Sequence, residues 1–235
     1  MVSFPHSPDA FGFYEKMIQA MDHPHQWYGS RTYAQHGDDL AILNIFGCLR
    51  ILEPSYLDIG AHHPFELSNT ALLYVRGSRG INVEANPVLI EAFQKYRTED
   101  KNVCAAVGTQ AGFAKLNRIN ATSGCNSILP ITGHGPLIDA IEVPVVTADM
   151  IVDLYADGCW PDLLTIDAEG MDLEILGSID YARGHPKVVC VEAVSPAGDI
   201  ASDLRDLMGA NGYTPHSWCG SNMLFVRSEL QDWLR

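Results

Sequence analysis

The sequence predicts an α/β fold, a mostly parallel, doubly wound sheet closed by an antiparallel C-terminal strand. Short apolar runs rich in β-branched residues recur with segments of helical length between them, the pattern of alternating strands and helices. The last two runs follow one another with no helix between, which reads as a hairpin on the edge of a parallel sheet. At 235 residues with 47% hydrophobic content, the chain suits one sizeable domain, taken as 1–235, with a well-buried core.

The predicted strands are 56–61 (YLDIGA), 80–84 (GINVE), 103–107 (VCAAV), 143–147 (VPVVT), 162–167 (DLLTID), 187–192 (KVVCVE), 212–217 (GYTPHS) and 222–227 (NMLFVR). Helical patterns lie between them at 66–75, 87–97, 148–156, 171–178 and 199–210. The segment 108–140 breaks this rhythm with Gly108, Gly112, Gly124, Pro130, Gly133, Gly135 and Pro136, and is read as an insertion near the active-site mouth, a short β excursion or lid. Residues 1–32, with Trp27 and Tyr28, form an N-terminal helical or cap segment; this segment and the insertion are where selectivity for a substrate is expected.

A formal charge of −14 and the lack of any basic run argue against a nucleic-acid surface. No apolar stretch approaches the roughly 20 residues that cross a bilayer, and the first residues do not read as a signal peptide; the expectation is a cytoplasmic protein acting on a small molecule, and the chain is compatible with a homo-oligomer. The six cysteines show no zinc-like spacing, and Cys104 and Cys190 sit inside apolar runs, so all are read as reduced structural residues.

Open parallel sheets bind ligands outside the carboxyl ends of their strands. Carboxylates stand at four of those ends here: Asp58 just before Gly60, Glu84 before Ala85-Asn86-Pro87, Asp167 with Glu169 before Gly170, and Glu192. Glu84, 24 positions after Gly60, stands where an acid accepts both hydroxyls of a ribose; its bland alternative is to serve the start of the next helix beside Asn86-Pro87. "GAHHPF" supplies no glycine-rich cradle for a pyrophosphate, which favours a nucleoside ligand without phosphates, such as S-adenosylmethionine. Asp167 and Glu169, two apart at a strand end, are expected to face one side and to bind a divalent cation or act as general base, unless one of them caps the following helix. Glu192 could complete an oxygen-rich site for Mg²⁺. Of His62 and His63, one is expected to line the pocket and the other to be structural, and His36 and His134 are further acid–base candidates.

The pieces "YAQHGDDL" (33–40), "YLDIGAHHPFELSNTALLY" (56–74), "GSRGINVEANP" (77–87), "VCAAVG" (103–108), "LLTIDAEGMDLEILGSID" (163–180) and "VVCVEA" (188–193) resemble, in this order, an FkbM-type methyltransferase. The resemblance implies a Rossmann-like class I methyltransferase that uses S-adenosylmethionine to O-methylate hydroxyls of sugars or natural products. It places Asp58, Gly60 and Ala61 at the methionine part of the cofactor, Glu84 with Ala85 and Asn86 at the ribose, and Ala106-Val107 at the adenine edge. Gln35, Ser68 and Asn69 would hold the amino-acid end. Asp167, Glu169, His62 and His63 are the catalytic candidates, Asp167 also counts among the cofactor-binding residues, and Asp167 with Glu192 are the candidate Mg²⁺ ligands, although Ala193 stands where related magnesium enzymes carry a second acid. The competing readings are a nucleotide-dependent oxidoreductase or sugar-modifying enzyme on the same fold, and a non-catalytic cofactor-binding module.

Overall fold

The computed structural model describes residues 32–131, 136–195 and 198–234. The expected 1–32 cap, apart from Thr32, and the candidate His134 lie outside the described residues.

A helix, α1 (Asp38–Cys48), precedes the first strand, β1 (Tyr56–Ile59). The chain continues through α2 (Ala71–Val75), β2 (Gly80–Glu84), α3 (Pro87–Tyr96), β3 (Lys101–Cys104), β4 (Ala106–Val107), β5 (Gly112–Arg118) and β6 (Asp139–Val146). Then come α4 (Ala148–Tyr155), β7 (Leu163–Ile166), α5 (Asp172–Gly177), β8 (Val188–Glu192), β9 (Val194–Ser195), β10 (Gly198–Asp199), α6 (Ala201–Ala210), β11 (Tyr213–Cys219) and β12 (Asn222–Arg227). The central sheet has seven strands in the order β11-β12-β8-β7-β1-β2-β3. Pairing is parallel from β3 across to β8, and β12 runs antiparallel to both β8 and β11.

β1 lies inside the sheet between β7 and β2, and all four of its residues are buried. Because side chains alternate across a strand, Leu57 and Ile59 join one core with Ile151 of α4, Ile175 of α5 and Leu204 of α6. Tyr56 joins the other, with Ile42, Ile45 and Phe46 of α1 and Leu73 of α2. Asp58 shares the parity of Tyr56 and so meets the segment leading into α2. On α3 the Asn86 side chain accepts a hydrogen bond from the Val88 N–H, Pro87 occupies the first turn, and Leu89, Ile90 and Phe93 form the buried stripe.

Three local expectations are corrected. The run 143–147 is not a strand of the main sheet: it belongs to β6, which pairs antiparallel with β5 and parallel with β4 in a separate three-stranded sheet. Its burial alternates, Val143 and Val145 in and Pro144 out, as expected of a sheet covered on one face only. The run 103–107 divides at Ala105 between the two sheets, and Cys104 is exposed at the end of edge strand β3, whereas Cys190 is buried. The helix expected at 66–75 shrinks to α2, because Ser68 Oγ accepts from the Ala71 N–H and holds the residues before it as a polar loop. Helix α1 was not foreseen: its apolar residues are spread around its circumference rather than along one stripe, which blurs the helical period.

Candidate functional site

A cleft of about 360 Å³ opens at the carboxyl ends of β2, β1, β7 and β8, a volume within the usual range for small-molecule sites. Gly60 forms its throat. It has φ +74°, and a Cβ there would stand 1.8 Å from the carbonyl oxygen of Asp167, so only glycine lets the turn after β1 lie against the end of β7. The non-glycine residues His62, Leu67 and Glu169 also border the cleft in the left-handed region, and such strain is retained where the surrounding structure and function demand it.

Glu84 closes the β2 side. Its two carboxylate oxygens accept hydrogen bonds from the His62 N–H at 2.9 Å and the Asn86 N–H at 2.7 Å, each oxygen keeping a lone pair for another donor. Burial pushes its pKa up to about 7 against the pull of those backbone donors. Asp58 is buried and accepts from Thr70 Oγ1 at 2.6 Å, and Thr70 in turn accepts from the Arg97 guanidinium at 2.9 Å. Burial raises Asp58 to about 6, with Thr70 and Arg97 opposing. Arg97 has no solvent exposure and also donates to Asp100 at 2.8 Å and to the Tyr56 hydroxyl, while Asp100 accepts from Tyr56, the Gly80 N–H and Asn82. This buried polar network lies behind the β1–β2 side of the cleft.

The other side carries the remaining acids. Asp167 extends the ladder past β7, its N–H donating to the Ile59 carbonyl, and points into the cleft. Desolvation raises its pKa well above the ordinary carboxylate range, followed by repulsion from Glu192, Asp172, Glu169 and Asp58. The side chain is nevertheless exposed to solvent through the cleft mouth, so water screens these effects until a ligand displaces it. Burial and Asp172 hold Glu169 at about 7. Burial, then Asp172 and Glu169, hold Glu192 at about 8. Glu169 reaches the cleft through a left-handed turn rather than through the two-residue pleat expected of an extended strand. Neither it nor Asp167 caps α5, whose N-cap residue Met171 makes no side-chain hydrogen bond; Asp172, the first residue of the helix, instead holds the turn before it, its carboxylate accepting from the N–H groups of Ala168 and Gly170 at 3.0 and 3.1 Å.

Gln35, Ala61, Ser68, Asn69, Ala85, Ala106 and Val107 all border the cleft as well. Two expected residues do not. The Nδ1 of His63 accepts from the N–H groups of Phe65 and Glu66, and burial holds its imidazole down at about 4, so His63 pins the loop after β1 instead of facing the cleft. Asn86 caps α3 and donates to the Ala121 carbonyl, fastening the 119–128 loop from behind. His62 does line the cleft, with its ring near the Thr122 carbonyl and Gly124. His36 lies outside it, packed on Gly220 of the β11–β12 turn.

The sequence reading missed Asn222 and Thr165, and it pointed to Ser123 to Ile128 only as part of the 108–140 insertion expected near the mouth. Asn222 pairs in register with Glu192; since an antiparallel last strand begins where its parallel neighbour ends, the predicted hairpin already contained this signal. Cys125 faces the acids, and burial followed by the charges of Glu169, Asp167 and Glu192 raises its thiol. The apolar strip of Ala106, Val107, Leu116 and Ile128, the Gly60 throat and the Glu84 carboxylate fit a nucleoside cofactor. A magnesium ion fits less well: among the described residues no three His, Cys, Asp or Glu side chains are grouped so as to hold a metal.

Residues 58–215 match the model of the methyltransferase FkbM domain. Among solved structures, methyltransferase FkbM from Methylobacillus flagellatus KT aligns at 14% identity and a TM-score of 0.47, over 74% of this chain and 43% of its own, so this chain spans less than half of that protein's length. A TehB-like SAM-dependent methyltransferase from Corynebacterium glutamicum aligns at 12% identity and a TM-score of 0.42, over 94% of this chain and 98% of its own. Precorrin-6y C5,15-methyltransferase from Geobacter metallireducens aligns at 13% identity and 0.40, over 80% and 86% respectively. No curated protein matches the sequence.

Proposed function

Because the chain belongs to the FkbM methyltransferase family, we propose that it transfers a methyl group from S-adenosylmethionine to a hydroxyl of a small molecule of the sugar or natural-product kind. The observation that carries this reading is the cleft itself: a ribose-competent acid at one end, Glu84, and at the other Asp167, Glu169 and Glu192, which are unpaired among the described residues, joined by a single-glycine throat. When bound, S-adenosylmethionine supplies an electrophilic methyl carbon and departs as the neutral thioether. Glu84 accepts the ribose hydroxyls, the Ala106-Val107 strip packs the adenine, and Gln35, Ser68 and Asn69 hold the amino-acid end. Asp167 orients the acceptor oxygen for in-line attack. As that oxygen bonds to the methyl carbon, Glu169 takes the hydroxyl proton, a task matched by its position near 7.

No step is assigned to a metal, since among the described residues no three His, Cys, Asp or Glu side chains are grouped so as to hold one. A dinucleotide-dependent oxidoreductase fits poorly for a structural reason: α2 begins only at Ala71, so no helix N-terminus stands behind Gly60 to receive a pyrophosphate. The test combines calorimetry with transfer of isotope-labelled methyl groups. The protein is expected to bind S-adenosylmethionine and not NAD, and Asp167→Asn is expected to cut turnover at least a hundredfold while changing cofactor affinity less than threefold. Wild-type turnover in Asp167→Asn refutes the catalytic assignment; cofactor binding without transfer to any acceptor supports a non-catalytic module.

A further inference from the structure

We propose that the acceptor is a polyhydroxylated amine, an aminopolyol or amino sugar, whose ammonium group is held by Glu192 and Asp167 while a nearby hydroxyl is presented for methylation. This rests on the methyl-transfer reading above and narrows its substrate class.

The first observation is a charge imbalance. Five carboxylates, Asp58, Glu84, Asp167, Glu169 and Glu192, line the cleft, and no Lys or Arg does so among the described residues. The nearest buried cation, Arg97, is engaged behind the floor by Asp100, Tyr56 and Thr70. S-adenosylmethionine, with an ammonium, a sulfonium and a carboxylate, brings a net charge of about one, so it leaves most of the acids uncompensated.

The second observation is the placement of the surplus. Glu84 and Glu192 end strands separated by β1 and β7, three strand spacings or about 14 Å apart. A nucleoside seated on Glu84 and packed on Ala106-Val107 therefore occupies the β2 side and leaves the β7–β8 side to the acceptor.

The third is the state of the acids there. Among the described residues, no hydrogen-bond donor satisfies the carboxylates of Asp167, Glu169 or Glu192, in contrast to Asp58, Glu84 and Asp172, each of which accepts one or more. Mutually repelling, unpaired carboxylates in a partly desolvated site call for a ligand that is cationic and rich in donors, and an ammonium offers a charge with three N–H groups. Asn222, in register beside Glu192, and Thr165 supply neutral groups suited to hydroxyls. An anionic acceptor, such as a uronic acid or a phosphorylated sugar, meets only repulsion.

The test offers glucosamine and 2-deoxystreptamine, their N-acetylated counterparts and glucuronic acid to the whole protein with isotope-labelled S-adenosylmethionine. The amines are expected to be methylated with kcat/KM at least tenfold above their N-acetylated forms, with no transfer to glucuronic acid. Losing one charged hydrogen bond corresponds to about tenfold to a hundredfold, so Glu192→Gln should bring amine and amide within about threefold of each other. Glu192→Asp, which keeps the charge, should restore the preference, and unchanged cofactor affinity in both variants shows that the cleft is intact. Equal or better use of the N-acetylated or anionic compounds, an unchanged ratio in Glu192→Gln, or no transfer to either amine while S-adenosylmethionine binds overturns the proposal. If S-adenosylmethionine does not bind at all, the methyl-transfer reading itself fails and takes this one with it.

Discussion

Replacing Arg97 by methionine removes the one cation from a fully buried network while roughly preserving the length of the side chain. The guanidinium donates to Asp100 at 2.8 Å, to Thr70 at 2.9 Å and to the Tyr56 hydroxyl. Breaking a buried pair by deleting one partner costs about 3–5 kcal/mol, most of it the penalty of a charge left without compensation. Asp100 retains donors from Tyr56, the Gly80 N–H and Asn82, which places the expected loss at the lower end, about 3 kcal/mol. For a domain of this size that is roughly 6–12 °C in Tm. Urea denaturation followed by tryptophan fluorescence and circular dichroism measures it. The double variant Arg97→Met/Asp100→Asn should recover part of the loss, because it also removes the stranded carboxylate. Cofactor affinity should fall in Arg97→Met even where the protein is folded, since Thr70 transmits the position of Arg97 to Asp58. A stability loss below about 1 kcal/mol, or a double variant no better than the single, refutes the claim that this pair anchors the floor of the cleft.

Other consequences concern the cleft. Gly60→Ala puts a methyl group 1.8 Å from the Asp167 carbonyl at φ +74°; displacement of that loop should weaken S-adenosylmethionine binding more than tenfold by calorimetry, and intact binding contradicts the close approach. In Glu84→Gln a single acceptor oxygen must replace two that serve His62 and Asn86, so cofactor Kd should rise about tenfold to a hundredfold, and an unchanged Kd removes Glu84 from the ribose site. Glu84 and Glu169 titrate near 7 and Glu192 near 8, above the ordinary value of about 4.3. The folded protein therefore binds more protons than the unfolded chain across that interval, and its stability falls as pH rises from about 4.3 to 8. Tm without ligand should be higher at pH 6 than at pH 8.5, with a smaller difference in Glu192→Gln; a Tm that climbs over this range goes against the raised carboxylates.

Much of the sheet was legible because its strands are buried on both faces and so appear as continuous apolar runs: "YLDI", "LLTI" and "VVCV" coincide with the centres of β1, β7 and β8. The last hairpin was equally plain, since no helix-length segment separates 212–217 from 222–227. The run "VPVVT" misled because apolar alternation reveals burial of one face without saying which sheet the strand joins; that depends on pairing with β5, more than twenty residues earlier. His62 and His63 look equivalent as letters, and only the loop geometry separates a ring on the cleft wall from a ring whose Nδ1 is held by two backbone donors.

The sequence by itself determined which carboxylates end which strands, because strand ends follow from the local alternation of apolar runs and turn residues. It also determined that the turn at Gly60 lacks a phosphate cradle, because that requires glycines and an immediate helix. Tertiary structure alone decided that Glu84 is clasped by backbone donors while Asp167, Glu169 and Glu192, across the cleft, find no donor among the described residues. Hydrogen-bond satisfaction and desolvation depend on neighbours brought from β7, β8 and β12, whose adjacency no local stretch of the chain encodes.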